Sequence, residues 1–250
     1  MRIADAVVVT ALLGWLGGCS PAGVTAEPAD RGIVVVTFNT GTTDGLGHNA
    51  PPDDGYGEAE AALSNTHYGN GLAWSAVIAD TRAFFANTRA DIVVFQEVFY
   101  SGDCPSIPAA AKKGFVCESY QPGDATVAQQ VLATDVGTWQ VACHLGKPDK
   151  CAAVRRSFGS FVGCDADLCL DGLAGAPVDT CGGGSRVGRG VIEIADQTAF
   201  SSSNVNRLTL VNVHGSSGIA QKDQDCRVKQ FEQVFVDLGV GDGPAANGAI

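Results

Sequence analysis

Positive charge is scarce in this sequence. Among its 250 residues, 16 are Lys or Arg and 27 are Asp or Glu, which gives a formal net charge of −11. Proteins that hold nucleic acid by charge alone carry an excess of Lys and Arg, so the composition excludes that class. It does not exclude a nucleic-acid substrate that is bound through a metal ion.

The apolar run at the N-terminus is short. Residues 6–16 are uncharged and mostly apolar, and a run of this length is too short to span a bilayer. After Arg2, it has the form of the hydrophobic region of a signal peptide. The run ends in Leu16-Gly17-Gly18-Cys19, which resembles a bacterial lipobox, so we expect a signal peptide over 1–18, lipidation and membrane anchoring at Cys19 in the cell envelope, and a tether over 19–31. Ordinary signal cleavage nearby, giving a secreted protein, and a disulfide at Cys19 stay open as alternatives.

Two short motifs, one typical of zinc binding and one of a serine nucleophile, are also missing from the sequence. The sequence contains no CxxC pair and no Gly-x-Ser-x-Gly, which argues against a zinc ribbon and a serine nucleophile elbow. Without Cys19, eight cysteines remain: Cys104, Cys117, Cys143, Cys151, Cys164, Cys169, Cys181 and Cys226. An even number in an exported chain predicts disulfides, with the local pairs Cys143–Cys151 and Cys164–Cys169 as candidates. A zinc site stays open as the alternative.

Hydrophobic patterning supports one folded domain over residues 32–250. Hydrophobic residues make up 45% of the chain, enough for a core. The patterns predict strands over 33–38, 91–95, 138–142, 187–194 and 208–213, helices over 72–87 and 220–238, and a long loop over 40–70. Strand, helix and strand in this order indicate an α/β fold with a mixed or parallel sheet. In the last helix, Val228, Phe231, Val234 or Phe235, and Leu238 have the spacing of one buried face.

Polar residues end three of these strands. Asn39, the pair Gln96-Glu97, and His214 each follow an apolar run. Side chains at strand ends are fixed by the sheet and left open by the loops, so they form sites readily. A hard cation such as Mg²⁺ takes a carboxylate and bridges to phosphate, which suits Glu97 as a ligand. Asn39 can orient that carboxylate or contact phosphate, and His214 can donate a hydrogen bond to a phosphoryl oxygen.

The order of these segments resembles the endonuclease/exonuclease/phosphatase superfamily, to which deoxyribonuclease I belongs. The matching segments are Val-Val-Val-Thr-Phe-Asn at 34–39, Asp-Ile-Val-Val-Phe-Gln-Glu-Val at 91–98, Gly-Arg-Gly-Val at 188–191 and Leu-Val-Asn-Val-His at 210–214. The resemblance implies a DNase I-like α/β/β/α sandwich of two packed mixed sheets. It also implies metal-dependent hydrolysis of a phosphodiester, in nucleic acid, a phospholipid or a small molecule. Glu97 and Asn39 would lie at Mg²⁺ or Mn²⁺, and His214, Asn39 and Arg189 would act on the phosphate.

Two motifs of that family have no counterpart here. One is a strand that ends in Gly-Asp-x-Asn, and the other is a C-terminal Ser-Asp-His, which supplies metal binding and the general base. We therefore expect a C-terminally truncated member with an incomplete second half, nearly inactive as written and monomeric. The alternative is a non-catalytic surface lipoprotein that serves as a disulfide-stapled binding scaffold.

Overall fold

The computed structural model describes residues 32–40, 57–69, 72–133, 138–176, 181, 186–196, 205–239 and 241–247. The signal peptide over 1–18, the lipidated Cys19 and the tether over 19–31 lie outside these residues. Within the described part of the chain, no helix is both long enough and apolar enough to cross a membrane.

An eight-stranded mixed sheet forms the centre of the molecule. Its strands are β1 (Val35–Asn39), β2 (Ile92–Gln96), β3 (Trp139–His144), β4 (Lys147–Arg155), β5 (Gly159–Phe161), β6 (Leu168–Gly175), β7 (Val187–Ile194) and β8 (Arg207–Val213). The order is β1-β2-β4-β3-β6-β7-β5, and β8 also pairs with β7. The pairs β1–β2 and β3–β6 are parallel, and the others are antiparallel. The predicted α/β class and the five predicted strands are confirmed.

Four α-helices accompany the sheet in the described ranges: α1 (Glu58–His67), α2 (Ser75–Thr88), α3 (Val127–Leu132) and α4 (Gln221–Phe235). Helix α2 connects the parallel strands β1 and β2, as the strand-helix-strand pattern predicted. Helix α1 shows that the prediction of a loop over all of 40–70 is wrong. Its sequence is rich in Ala and begins with Glu58 and Glu60, and these residues favour a helix by propensity and by their charge near its N-terminus.

The sheet folds over so that two halves face each other. Strand β6 pairs with β3 in the first half and with β7 in the second half. Between the halves, Ile92 and Val94 of β2 belong to the same buried cluster as Leu173 of β6 and Ile192 of β7. Each half therefore buries one face against the other, and burial of this apolar surface holds the fold closed.

Helices cover the outer faces of both halves. Phe85 of α2 and Val131 of α3 are buried with Phe95 of β2 on the first half. On the second half, Val187 of β7 is buried with Val234, which lies in α4. The outer residues alternate along each strand with the inner ones, as the pleat requires.

The buried face of α4 differs from the sequence prediction. Val228, Phe231 and Phe235 are exposed, with Phe231 at 55% and Phe235 at 68%. The helix instead buries Cys226, Gln230, Gln233 and Val234. Cys226 forms a disulfide with Cys181, and Gln230 accepts the amide of Ser216 at 3.0 Å, so these contacts lie on the buried side of the helix. The prediction of a buried stripe through Phe231 is therefore wrong, although Val234 and Leu238 are buried.

All eight predicted cysteines form disulfides. The pairs are Cys104–Cys117, Cys143–Cys151, Cys164–Cys169 and Cys181–Cys226. Both local pairs expected from the sequence are confirmed. Because these thiols are bonded to one another, they cannot hold zinc, and the zinc alternative is wrong. Four disulfides are consistent with an exported protein.

Candidate active site

At one end of the space between the two sheet halves, the apolar core gives way to hydrogen-bonded polar side chains. Gln96, at the end of β2, donates from Nε2 to Oδ1 of Asn212 on β8 at 2.9 Å. The Asn212 amide donates to the carbonyl of Phe95 at 3.1 Å and to that of Cys151 at 3.4 Å. Asn212 is only 3% exposed. Its bonds therefore tie β8 to the facing strands β2 and β4, and they satisfy polar groups that burial would otherwise penalise.

Glu97 and His214 meet directly beside this polar layer. Glu97 Oε1 lies 2.9 Å from His214 Nε2, and the two side chains are 34% and 14% exposed. They follow β2 and β8, so each half of the sheet supplies one partner. Glu97 has a φ of 62°, a left-handed conformation that costs a non-glycine residue free energy. In a regular strand, Glu97 would point away from Gln96, and this backbone turn allows both side chains to reach β8.

The charges around Glu97 favour its ionised form. The hydrogen bond from His214 lowers the pKa of Glu97, and the charges of His214, Lys150 and Arg186 lower it further, while partial burial opposes the shift. The net effect is a pKa below the ordinary carboxyl value. Glu97 is therefore a carboxylate at neutral pH, the form that binds a cation.

A cleft of about 640 Å³ opens at this pair. Its walls come from the end of α1, the segment after β2, the 3₁₀ turn over 101–106, the β3–β4 turn and the start of β7. The lining residues include Tyr68, Glu97, Tyr100, Asp103, Lys147, Asp149, Lys150, Arg186, His214 and Ser217. A volume of this size suits a small-molecule ligand or part of a polymer.

The structure brings together only some of the predicted site residues. Glu97 and His214 are in contact. Asn39 pairs with Gln96 across the parallel β1–β2 register, so it lies at the same sheet end, but it does not line the cleft. Arg189 lies on β7 and donates to the carbonyl of Asn247 at 2.8 Å, also outside the cleft.

Three cationic residues of the cleft were missed by sequence reasoning: Lys147, Lys150 and Arg186. The two lysines lie at the start of β4, just after a short turn, with no polar strand-end pattern. Arg186 precedes β7, and its backbone carbonyl accepts the amide of His214 at 2.8 Å. Its role follows from the antiparallel pairing of β7 and β8, which brings the start of β7 to the end of β8. No local sequence signal marks this pairing.

The residues around Glu97 decide whether a divalent cation fits there. Among the residues that the structure describes, no three His, Cys, Asp or Glu side chains group together as a metal cluster. Mg²⁺ keeps several waters and is often held by only one or two carboxylates together with substrate phosphate. Glu97 is ionised and reaches the cleft. A weakly held Mg²⁺ or Mn²⁺ at Glu97 therefore fits the residues present.

Comparisons with protein-family models, curated proteins and solved structures find no match.

Proposed function

We propose that this protein is a metal-dependent phosphoesterase that hydrolyses phosphodiester bonds. The observation that carries the proposal is the Glu97–His214 pair at the cleft, with a separation of 2.9 Å. The Glu97 carboxylate offers a ligand for a cation, and the His214 imidazole offers a hydrogen-bond donor, both at the same place in the cleft. Phosphoryl transfer needs both, because negative charge on the phosphoryl oxygens must be neutralised.

Each residue has a separate task in this proposal. Glu97 holds the divalent cation, which neutralises charge on the phosphoryl oxygens when bound. His214 Nε2 donates to Glu97 Oε1 in this structure, and it would turn to a phosphoryl oxygen or the leaving group once Glu97 binds the cation. Asn39 lies at the neighbouring strand end beside Gln96, and its task is to orient the Glu97 carboxylate. Gln96 and Asn212 act only by position, because their hydrogen bond fixes the strand ends that carry Glu97 and His214.

The layered arrangement supports a DNase I-like sandwich as part of the same proposal. Two sheet halves pack face to face, with α2 and α3 on one outer face and α4 on the other. Because the sequence has no match to the motif that carries the family's general base, we expect these 250 residues to turn over substrate slowly. A nucleic acid, a phospholipid and a small phosphodiester all remain candidate substrates.

Hydrolysis of bis-p-nitrophenyl phosphate tests the proposal. Release of p-nitrophenol should require Mg²⁺ or Mn²⁺, stop with EDTA, and fall by about 10²-fold or more in Glu97→Ala and His214→Ala. Glu193→Ala is the matched control, since Glu193 is an exposed carboxylate on β7. Binding of Mn²⁺ measured by paramagnetic relaxation of water should weaken in Glu97→Ala only. Metal-independent turnover, or turnover equal in Glu97→Ala, contradicts the proposal. No turnover by any form of the protein favours the binding-scaffold alternative.

Anchoring through Cys19 is a separate part of the proposal. Four disulfides agree with export, and the lipobox-like sequence supports lipidation. Expression in a bacterial host with labelled palmitate should label the wild-type chain in the membrane fraction and leave Cys19→Ser unlabelled. Labelling of Cys19→Ser, or an unlabelled wild type, contradicts it.

A further inference from the structure

The cleft carries more positive charge beside the Glu97–His214 pair than the acidic sequence suggests. Lys147, Lys150 and Arg186 line it together, and we call these three residues the cationic wall. The charges of Lys150 and Arg186 both act on Glu97. Asp103 also lines the cleft, but it lies on the 3₁₀ turn beside Tyr100. Asp149 lines the cleft as well and pairs with Lys150, so Arg186 is the cation near Glu97 that has no carboxylate partner among the described residues.

Arg186 is the best placed of the three cations. It follows the register one step beyond the Val187–Val213 pair, so it stands opposite His214 on the same side of the β7–β8 ladder. Residues opposite each other in an antiparallel pair have Cβ atoms about 5 Å apart. Among the described residues, no carboxylate lies within ion-pair distance of Arg186. An arginine without a counter-ion in a cleft is suited to bidentate recognition of an anion.

The lysines are held in place by their own contacts. Lys150 is only 6% exposed and forms an ion pair with Asp149. The carbonyl of Asp149 accepts the amide of Val98, at 3.1 Å, so this ion pair is fixed next to Glu97. The Cys143–Cys151 disulfide links β3 to β4 at the base of the hairpin, and both lysines lie in that hairpin. Lys150 and the hairpin backbone that carries both lysines are therefore fixed, and binding an anion there requires little ordering of this part of the wall.

We propose that the cationic wall is a second anion subsite, which binds a non-scissile phosphate of a ligand whose first phosphate lies at Glu97 and His214. The inference rests on the proposed function for the first phosphate only. One phosphoryl group fills a small part of the 640 Å³ cleft, and the remaining volume adjoins the wall. The preferred ligand class is a small molecule or nucleotide with two phosphates.

Equilibrium binding of two matched nucleotides tests the subsite without any need for turnover. Thymidine 3′,5′-bisphosphate and thymidine 5′-monophosphate differ by one phosphate, and isothermal titration calorimetry of the whole chain measures both, with and without Mg²⁺. We expect the bisphosphate to bind about tenfold or more tightly, and Arg186→Met and Lys147→Met each to remove most of that preference. Arg207→Met and Lys229→Met are the controls, since both residues are exposed and lie outside the cleft.

The outcomes separate this inference from the proposed function. Equal affinity for both nucleotides in the wild-type chain overturns the subsite, as does a preference that Arg186→Met retains. A preference that Arg186→Met removes, in a chain that hydrolyses nothing, supports the subsite and contradicts the esterase. Circular dichroism and thermal unfolding of each variant show whether a loss of binding reflects unfolding. If Arg186→Met unfolds, Arg186→Lys replaces it, with a smaller loss of preference expected because Lys cannot bind phosphate in a bidentate way.

Discussion

Replacement of Asn212 by Leu should destabilise the whole fold, because it removes the polar link between the two sheet halves. Asn212 accepts from Gln96 and donates to the carbonyls of Phe95 and Cys151. Each buried polar group left without a partner costs about 1–3 kcal/mol. Gln96 keeps Thr37 as a second partner, at 3.3 Å, so its loss is partly offset. We expect a total of about 3 kcal/mol, which corresponds to a fall in Tm of about 6–12 °C for a chain of this size.

Urea unfolding with the disulfides intact, followed by circular dichroism, measures this change. Thr209→Val on the same strand is the control, since Thr209 forms no hydrogen bond through its side chain in the described residues, and it should change the stability by less than about 0.5 kcal/mol. In a double-mutant cycle, Gln96→Leu and Asn212→Leu should show a coupling free energy of about 1 kcal/mol or more. A cost below about 1 kcal/mol for Asn212→Leu, or strictly additive single changes, would refute the argument that this hydrogen bond joins the halves.

Three further changes test other parts of the structure. Burial lowers the pKa of His144, so the unfolded imidazole, near pH 6.5, gains its proton before the folded one. The unfolding free energy should fall as pH drops from 7 to 5.5, and it should fall less in His144→Gln. Urea titrations measure it at each pH, and an equal dependence on pH in both proteins contradicts this prediction. Replacing Cys181 and Cys226 by Ser removes a disulfide that spans 45 residues. The free energy of unfolding should fall by about 4 kcal/mol, because the unfolded chain gains entropy, and calorimetry measures this fall. Phe231→Ser should leave Tm nearly unchanged, because Phe231 is exposed, while Val234→Ala should lower Tm by several degrees, because Val234 is buried. A larger fall in Tm for Phe231→Ser would mean that Phe231 is covered in the folded protein.

The strands of this protein were predictable because their signal is local. A short apolar run that is rich in β-branched residues, such as Ile92–Phe95, favours a buried strand, and the structure places it in β2. The faces of α4 were not predictable in this way. Its spacing favours burial of Phe231, but the structure buries the side that carries the disulfide-bonded Cys226 and exposes Phe231. A pairing over 45 residues is not visible in a local pattern.

The candidate site divides in the same manner. Glu97 and His214 were predictable, since each polar residue directly follows an apolar strand and matches a motif. Arg186 was not, because its importance comes from the antiparallel pairing that sets it opposite His214. Arg189 shows the opposite case, since it has the motif position but lies outside the cleft. Arg186 and Arg189 are three positions apart, so the alternation along a strand sends their side chains to opposite sides. The sequence does not show which of the two sides lines the cleft.

Glu97 and His214 are 117 positions apart and belong to opposite halves of the folded sheet. The pair consequently depends on the packing of the two halves, and no excised piece that lacks either strand end can retain it. Their contact therefore reports whether the two sheet halves are packed together. An NMR signal or a label at the His214 imidazole would detect separation of the halves at this end before the strands unfold.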